Sequence, residues 1–232
     1  MGWPFAGVFA PLSDRSVEVM FQDGSAKLIQ LSVIELGDLR VQSGRLLACD
    51  PFVAMPQGVV ADVPAGNYRT RVTVADVSRA QDRSHLREAY LSVVISNAPS
   101  ISRSVIVPHG KLAPQAPEFY GVAVDAGTVA FVDEENARNL MPSGDVYNEV
   151  FDSGRADSWF NQMDSESPLP KGYANIRLPL AKNGENIVIA HSGWGDGFYP
   201  VLATYDELGR LTGVHIDLQV IGDFREGGPA SA

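Results

Sequence analysis

Between Tyr68 and Val74 two kinds of side chain take turns: Tyr68, Thr70, Val72 and Val74 fall on one side, Arg69, Arg71 and Thr73 on the other. A period of two sends alternate side chains to opposite faces of an extended chain, so the segment predicts a half-buried strand. Strand-length segments recur along the chain between turn residues. Residues 17–21 and 27–36 flank Asp23-Gly24, a pair that readily takes the left-handed conformations of a tight hairpin. Residues 46–49 form a short apolar strand that stops at Asp50-Pro51, where proline removes a ladder donor. A further strand is expected over 58–63, then the turn Pro64-Ala65-Gly66-Asn67. Residues 88–96 and 102–107 flank Asn97-Ala98-Pro99-Ser100 and predict a second hairpin. Residues 120–124 and 128–132, around Asp125-Ala126-Gly127, make a third strand–turn–strand.

Helix enters only in the middle. Residues 134–141 suit a short helix opened by the Asp133 carboxylate. Residues 145–151 and 157–164 place Tyr147 with Phe151, and Trp159 with Met163, at spacings that make one packing face. Strands resume at 175–180, 186–191, 199–205 and 211–220, with turns at Asn183-Gly184 and at 206–209. The stretch 108–117 holds three prolines and reads as a surface connector. About a dozen short strands with closely spaced turns predict a mainly β fold. The expected architecture is an antiparallel β-sandwich or barrel, one domain over residues 1–232, with a small helical insertion at about 134–164.

Composition narrows the class. Of 232 residues, 45% are hydrophobic and 20% charged, which excludes global disorder. A net charge of −10, from 28 acidic and 18 basic side chains, disfavours nucleic acid and anionic membranes, both of which need a basic footprint. It suits a basic protein partner. No positive charge precedes the mildly apolar first twelve residues, so no signal peptide is expected, and no apolar run approaches about 20 residues. A soluble, cytoplasmic protein is the expectation. The single cysteine, Cys49, follows Leu46-Leu47-Ala48 and predicts a buried thiol acting as a small hydrophobe.

Candidate chemistry concentrates in His191-Ser192-Gly193-Trp194-Gly195-Asp196-Gly197-Phe198-Tyr199-Pro200. Three glycines in five positions allow sharp turns, and an imidazole, a hydroxyl, an indole, a carboxylate and a phenol sit among them. The stretch lacks the Lys-Ser/Thr ending of a phosphate loop and the G-x-S-x-G of a nucleophile elbow. His191 and His215 come from neighbouring predicted strands and could meet Asp196, Asp217 or Asp125, which would suit a divalent cation; no cofactor is otherwise predicted. Asp50, Asp125, Asp196 and Asp223 each lie at a strand end or turn, where Asp commonly bonds its own backbone. Converging in one cleft, they would instead make a site.

Several of these pieces, in order, resemble a bacterial family of proteins of unknown function, the DUF4241-like family. They are Gly44 through Cys49-Asp50-Pro51-Phe52, then Pro64-Ala65-Gly66-Asn67-Tyr68, then Val124-Asp125-Ala126-Gly127-Thr128 with Phe131 and Asp133. Ser192-Gly193-Trp194-Gly195-Asp196-Gly197 with Tyr199-Pro200 is the specific part, and Asp223-Phe224 closes the series. The resemblance covers roughly residues 40 to 225. Ser102-Arg103-Ser104 departs from it, since an aromatic residue is common there. What it implies is a compact bacterial domain with no agreed reaction.

Two functions therefore stand side by side. The first is a binding or interaction module, a regulator or immunity-like protein, using an acidic surface that includes Glu149, Asp152, Asp157, Asp164 and Glu166. The second is a small-molecule hydrolase built on Asp125, His191, Asp196 and Tyr199. In either case Asp50, Ser192, Trp194 and Asp223 are the expected ligand contacts, and His191, His215 and Asp196 are the residues a metal would use.

Overall fold

Three runs are apolar at every position rather than at alternate ones: Leu46-Leu47-Ala48-Cys49, Val129-Ala130-Phe131-Val132 and Ile187-Val188-Ile189-Ala190. An extended segment of that kind needs cover on both faces. The computed structural model, which describes residues 8–20, 25–166 and 168–221, supplies it. In chain order the strands are β1 (Val17–Met20), β2 (Ala26–Ile29), β3 (Leu31–Val41), β4 (Arg45–Cys49), β5 (Val59–Asp62), β6 (Gly66–Asp76), β7 (Leu86–Val94), β8 (Ser102–Val105), β9 (Gly121–Val124) and β10 (Thr128–Asp133). Then come helix α1 (Glu134–Asn139), one π-helical turn (Tyr147–Phe151), and helix α2 (Trp159–Asp164). The chain finishes with β11 (Tyr173–Arg177), β12 (Asn186–His191), β13 (Gly197–Tyr205) and β14 (Leu211–Asp217).

The three apolar runs occupy the middle of a five-stranded antiparallel sheet, ordered β11-β12-β10-β4-β5. One face turns Leu46, Ala48, Val129, Phe131, Val188 and Ala190 toward a larger sheet, where they meet Leu39, Val72, Leu91, Val214 and Ile216. The other face carries Leu47, Cys49, Ala130, Val132, Ile187 and Ile189, covered by Ala137, Phe151, Trp159 and Met163 from the helical segment. The insertion is thus a third layer over the smaller sheet. Its helices are too short to persist alone and are held by that apolar face. Asp133 caps α1 as expected, accepting from the N–H groups of Glu135 and Asn136.

The larger sheet runs β3-β6-β7-β14-β13, and the outer edge of β13 is shared by β9 and β8. The sandwich expectation holds; the sheets do not close into a barrel. The second predicted hairpin does not form. The β13–β14 pair lies between β7 and β8, and the connection crosses its end, with Ile95 and Ser96 donating to Thr212 O and Ile101 to Tyr205 O. The apolar β13 and β14 fit the interior of the sheet, while Ser102-Arg103-Ser104 suits an edge. Likewise β9 pairs with β13 while β10 pairs with β4 and β12, so Asp125-Ala126-Gly127 is a corner between sheets. The Asp23-Gly24 turn lies outside the described residues, although β1 and β2 pair across it.

Candidate functional site

The glycine-rich bend joins β12 of one sheet to β13 of the other. Gly193 and Gly195 have φ of 71° and 95°, in the left-handed region. A Cβ on Gly193 would lie 2.5 Å from the Glu88 carbonyl oxygen, so no other residue fits there. Ser192 is fully buried; its N–H donates to Gly127 O at 3.0 Å and its hydroxyl to Gly195 O at 2.7 Å. The Tyr199 phenol donates to the same carbonyl at 2.9 Å. Burial raises the Tyr199 pKa, the Ser192 hydrogen bond lowers it, and the Asp196 charge raises it further. Two hydroxyls on one carbonyl oxygen fix the shape of the bend. Replacing Ser192 with Ala should cost about 1 kcal/mol without changing the fold, which urea denaturation would measure.

At the tip, Trp194 is 54% exposed. It is nonetheless held: the Arg87 guanidinium sits 5.5 Å from the ring centroid, and the His85 ring meets it edge-on at 6.2 Å. Asp196 and Asp125 are both exposed. The β9–β13 ladder ends with Val124 opposite Gly197, so the two carboxylates leave the same end of it.

His191 goes elsewhere. On β12 it shares a face with Ile187 and Ile189, which point to the helical layer. Its N–H donates to Gly172 O, and a Cβ on Gly172 would lie 2.8 Å from Nδ1, so the imidazole rests against that glycine. Tyr199 belongs to the core between the sheets. The expected quartet therefore divides: Asp125 and Asp196 outside, Tyr199 inside, His191 on the far face of β12. Nor do His191 and His215 meet, because β12 and β14 belong to different sheets. Among the described residues, no three His, Cys, Asp or Glu side chains gather in an arrangement that could hold a metal ion.

Asp50 is a clamp. Fully buried, it accepts from Asp125 N (2.9 Å) and Ala126 N (2.8 Å) on Oδ2, and from Phe52 N and Thr128 Oγ1 (both 3.2 Å) on Oδ1. Four donors on one carboxylate pin the corner that carries Asp125. Gly127, in that corner, receives the Ser192 N–H, so the clamp also sets the start of the bend. Burial pushes the neighbouring Cys49 thiol far up, with the Asp50 charge adding to it, and this thiol is inert. Asp223 lies outside the described residues.

The sequence reading missed a buried polar cluster on the outer face of the larger sheet. His215 is enclosed, with Nδ1 2.9 Å from Ser92 Oγ and Nε2 3.1 Å from Thr204 Oγ1; burial brings its pKa down to about 3, so the ring is neutral. Two positions along the same face, burial raises the Asp217 carboxyl to about 7, against the pull of the Gln219 N–H and the Arg103 charge. The alternation of His215 and Asp217 with Val214 and Ile216 was the available signal; Thr212 falls in step with Val214 and is the extra residue where the β13–β14 register shifts, which local pattern does not show.

The family described as "Protein of unknown function (DUF4241)" matches residues 39–216, a span that includes the Asp50 clamp, the bend and His215. No curated protein and no solved structure matches the chain. No helix among the described residues is long and apolar enough to cross a membrane.

Proposed function

This chain belongs to the DUF4241 family, whose description assigns no function, and from that premise we propose that it is a protein-binding module whose contact centre is the bend at residues 192–197. The observation that carries the proposal is Trp194. A large aromatic ring is held half in solvent by a bend whose Gly195 carbonyl accepts two hydrogen bonds, which keeps the entropy cost of engaging it low. Trp is among the residues that most often anchor interfaces. Asp196 two residues along the bend, Asp125 at the same end of the β9–β13 ladder, a net charge of −10, and the exposed acids Glu149, Asp152, Asp157, Asp164 and Glu166 favour a basic partner and speed its approach. Such a module restrains or regulates that partner in the cytoplasm, as an immunity-like protein does.

The hydrolase reading draws less support, because its four residues divide between faces and share no hydrogen bond. The test is quantitative affinity capture from the source cells with wild type, Trp194→Ala and the remote control Leu208→Ala. A partner retained by the control and reduced about tenfold or more by Trp194→Ala is the expected result. Equal recovery by all three proteins would refute the proposal. Trp194→Ala should also leave unfolding stability within about 0.5 kcal/mol of wild type, as expected of an exposed side chain.

A further inference from the structure

Strand β9 has two edges, and the sheet uses one of them. Along that edge Val122 lies opposite Tyr199 and Val124 opposite Gly197, and the Val201 N–H donates to Tyr120 O just before them. In an antiparallel ladder the backbone groups of successive residues point to opposite edges. Tyr120, Val122 and Val124 therefore face β13, while Gly121, Ala123 and Asp125 aim their N–H and C=O groups outward. The Asp125 N–H is taken by Asp50 Oδ2 at 2.9 Å, which fixes the direction of the outward edge. The backbone groups of Gly121 and Ala123 meet no hydrogen-bond partner among the described residues.

These groups border a groove of about 410 Å³, whose other lining includes Asp50, Ala54, Gly58, Val59, Lys111 and Phe198. What β9 offers there is nearly bare backbone. Gly121 has no side chain, and a Cβ on it would lie 2.4 Å from Tyr199 O; Ala123 carries a methyl alone. A glycine inside a strand often marks a place where another backbone comes close. Neither residue supplies the charge or the proline that deters pairing at a sheet edge.

We propose that this groove receives an extended peptide segment of another protein, which adds to β9 as a further strand. Donors and acceptors that recur at every second residue along a line match an extended backbone, and side chains at alternate positions then enter pockets beside it. Ala54, Val59 and Phe198 suit apolar side chains, and the exposed Asp125 at the end of β9 suits a basic residue at one end of the segment. The recessed position disfavours a second copy of this chain, because two walled grooves cannot bring the same four-residue strand edge to edge. The site uses neither Trp194 nor the bend, so it stands or falls apart from them.

Hydrogen exchange read by NMR on the full chain tests the edge directly. In the free chain the amides of Gly121 and Ala123 should exchange about a hundredfold faster than those of Val122 and Val124. Acetylated and amidated pentapeptides, lysine followed by alternating X and threonine with X valine, leucine or tyrosine, are then added at millimolar concentration. At least one is expected to slow exchange at Gly121 and Ala123. N-methylation of one alternate set of its amides should weaken it about tenfold or more, while methylation of the other set is tolerated. Ala123→Pro deletes an outward N–H and leaves every ladder bond to β13 in place, so it should weaken the same peptide by a similar factor. The methylated peptides decide the matter if that variant fails to fold. Slow exchange at Gly121 and Ala123 in the free chain overturns the proposal, and if it grows with chain concentration the occupant is a second copy. Failure of all three peptides to protect the two amides overturns it too, as does binding that neither methylated form weakens.

Discussion

Asp217→Asn and His215→Asn will each uncover a pH slope in stability that the wild-type chain conceals. Between about pH 4 and pH 7 an unfolded chain has lost the Asp217 proton, while the folded chain, with its carboxyl raised to about 7, keeps it. Rising pH through that window therefore destabilises the fold. Between about pH 3 and pH 6.5 the unfolded chain protonates His215, while the folded chain, with its imidazole at about 3, does not. Falling pH through that window therefore destabilises the fold. The two slopes are opposite, each about 1.4 kcal/mol per pH unit, and they cancel where the windows overlap.

Removing Asp217 leaves the histidine slope, so stability should fall as pH drops from about 6.5 to about 4, by up to about 3 kcal/mol. Removing His215 leaves the carboxyl slope, so stability should fall by a similar amount as pH rises across the same range. Urea denaturation at several pH values reads both directly. Slopes of the same sign in the two variants, or both parallel to wild type, would show that the pair is not buried as described.

The second large effect is expected from Asp50→Ala. Its carboxylate is the acceptor for three backbone N–H groups and one hydroxyl, and none gains a replacement when it goes. A loss of about 3–5 kcal/mol is expected, in line with breaking a buried charged network. Because Gly127 passes the clamp on to Ser192, amide exchange at Ser192 should quicken in a variant that still folds. A ligand contact with no structural duty would instead leave unfolding unchanged on substitution, so unchanged stability would contradict the clamp.

Much of this architecture was legible in the pattern of side chains. The segment 186–191 reads as a strand from its apolar run and is β12 with those bounds. Asp133 reads as a cap because a carboxylate precedes a helix-length segment, and it caps α1. What local pattern could not supply was partner choice. Asn97-Ala98-Pro99-Ser100 looks like a hairpin turn, yet whether β7 and β8 pair depends on β13 and β14, far later in the chain. The same limit applied to the site. The crowded sequence around Gly193 pointed to a site, and the hydrogen bonds of Ser192 and Tyr199 show polar groups that also hold the bend itself. The direction of His191 depends on which face of β12 packs under the helices, and Asp50 acts on a corner 75 residues away. A strand-end aspartate carries no mark that separates a clamp from a ligand contact.

The central claim is that Trp194 is the point at which this chain touches another protein. A photo-crosslinking amino acid placed at position 194, and for comparison at the exposed Leu208, tests it in living source cells without purification. The account predicts one dominant covalent adduct from position 194, absent from position 208 and suppressed when Asp125 and Asp196 are both changed to Asn. Adducts equally abundant and equally diverse from both positions would contradict it.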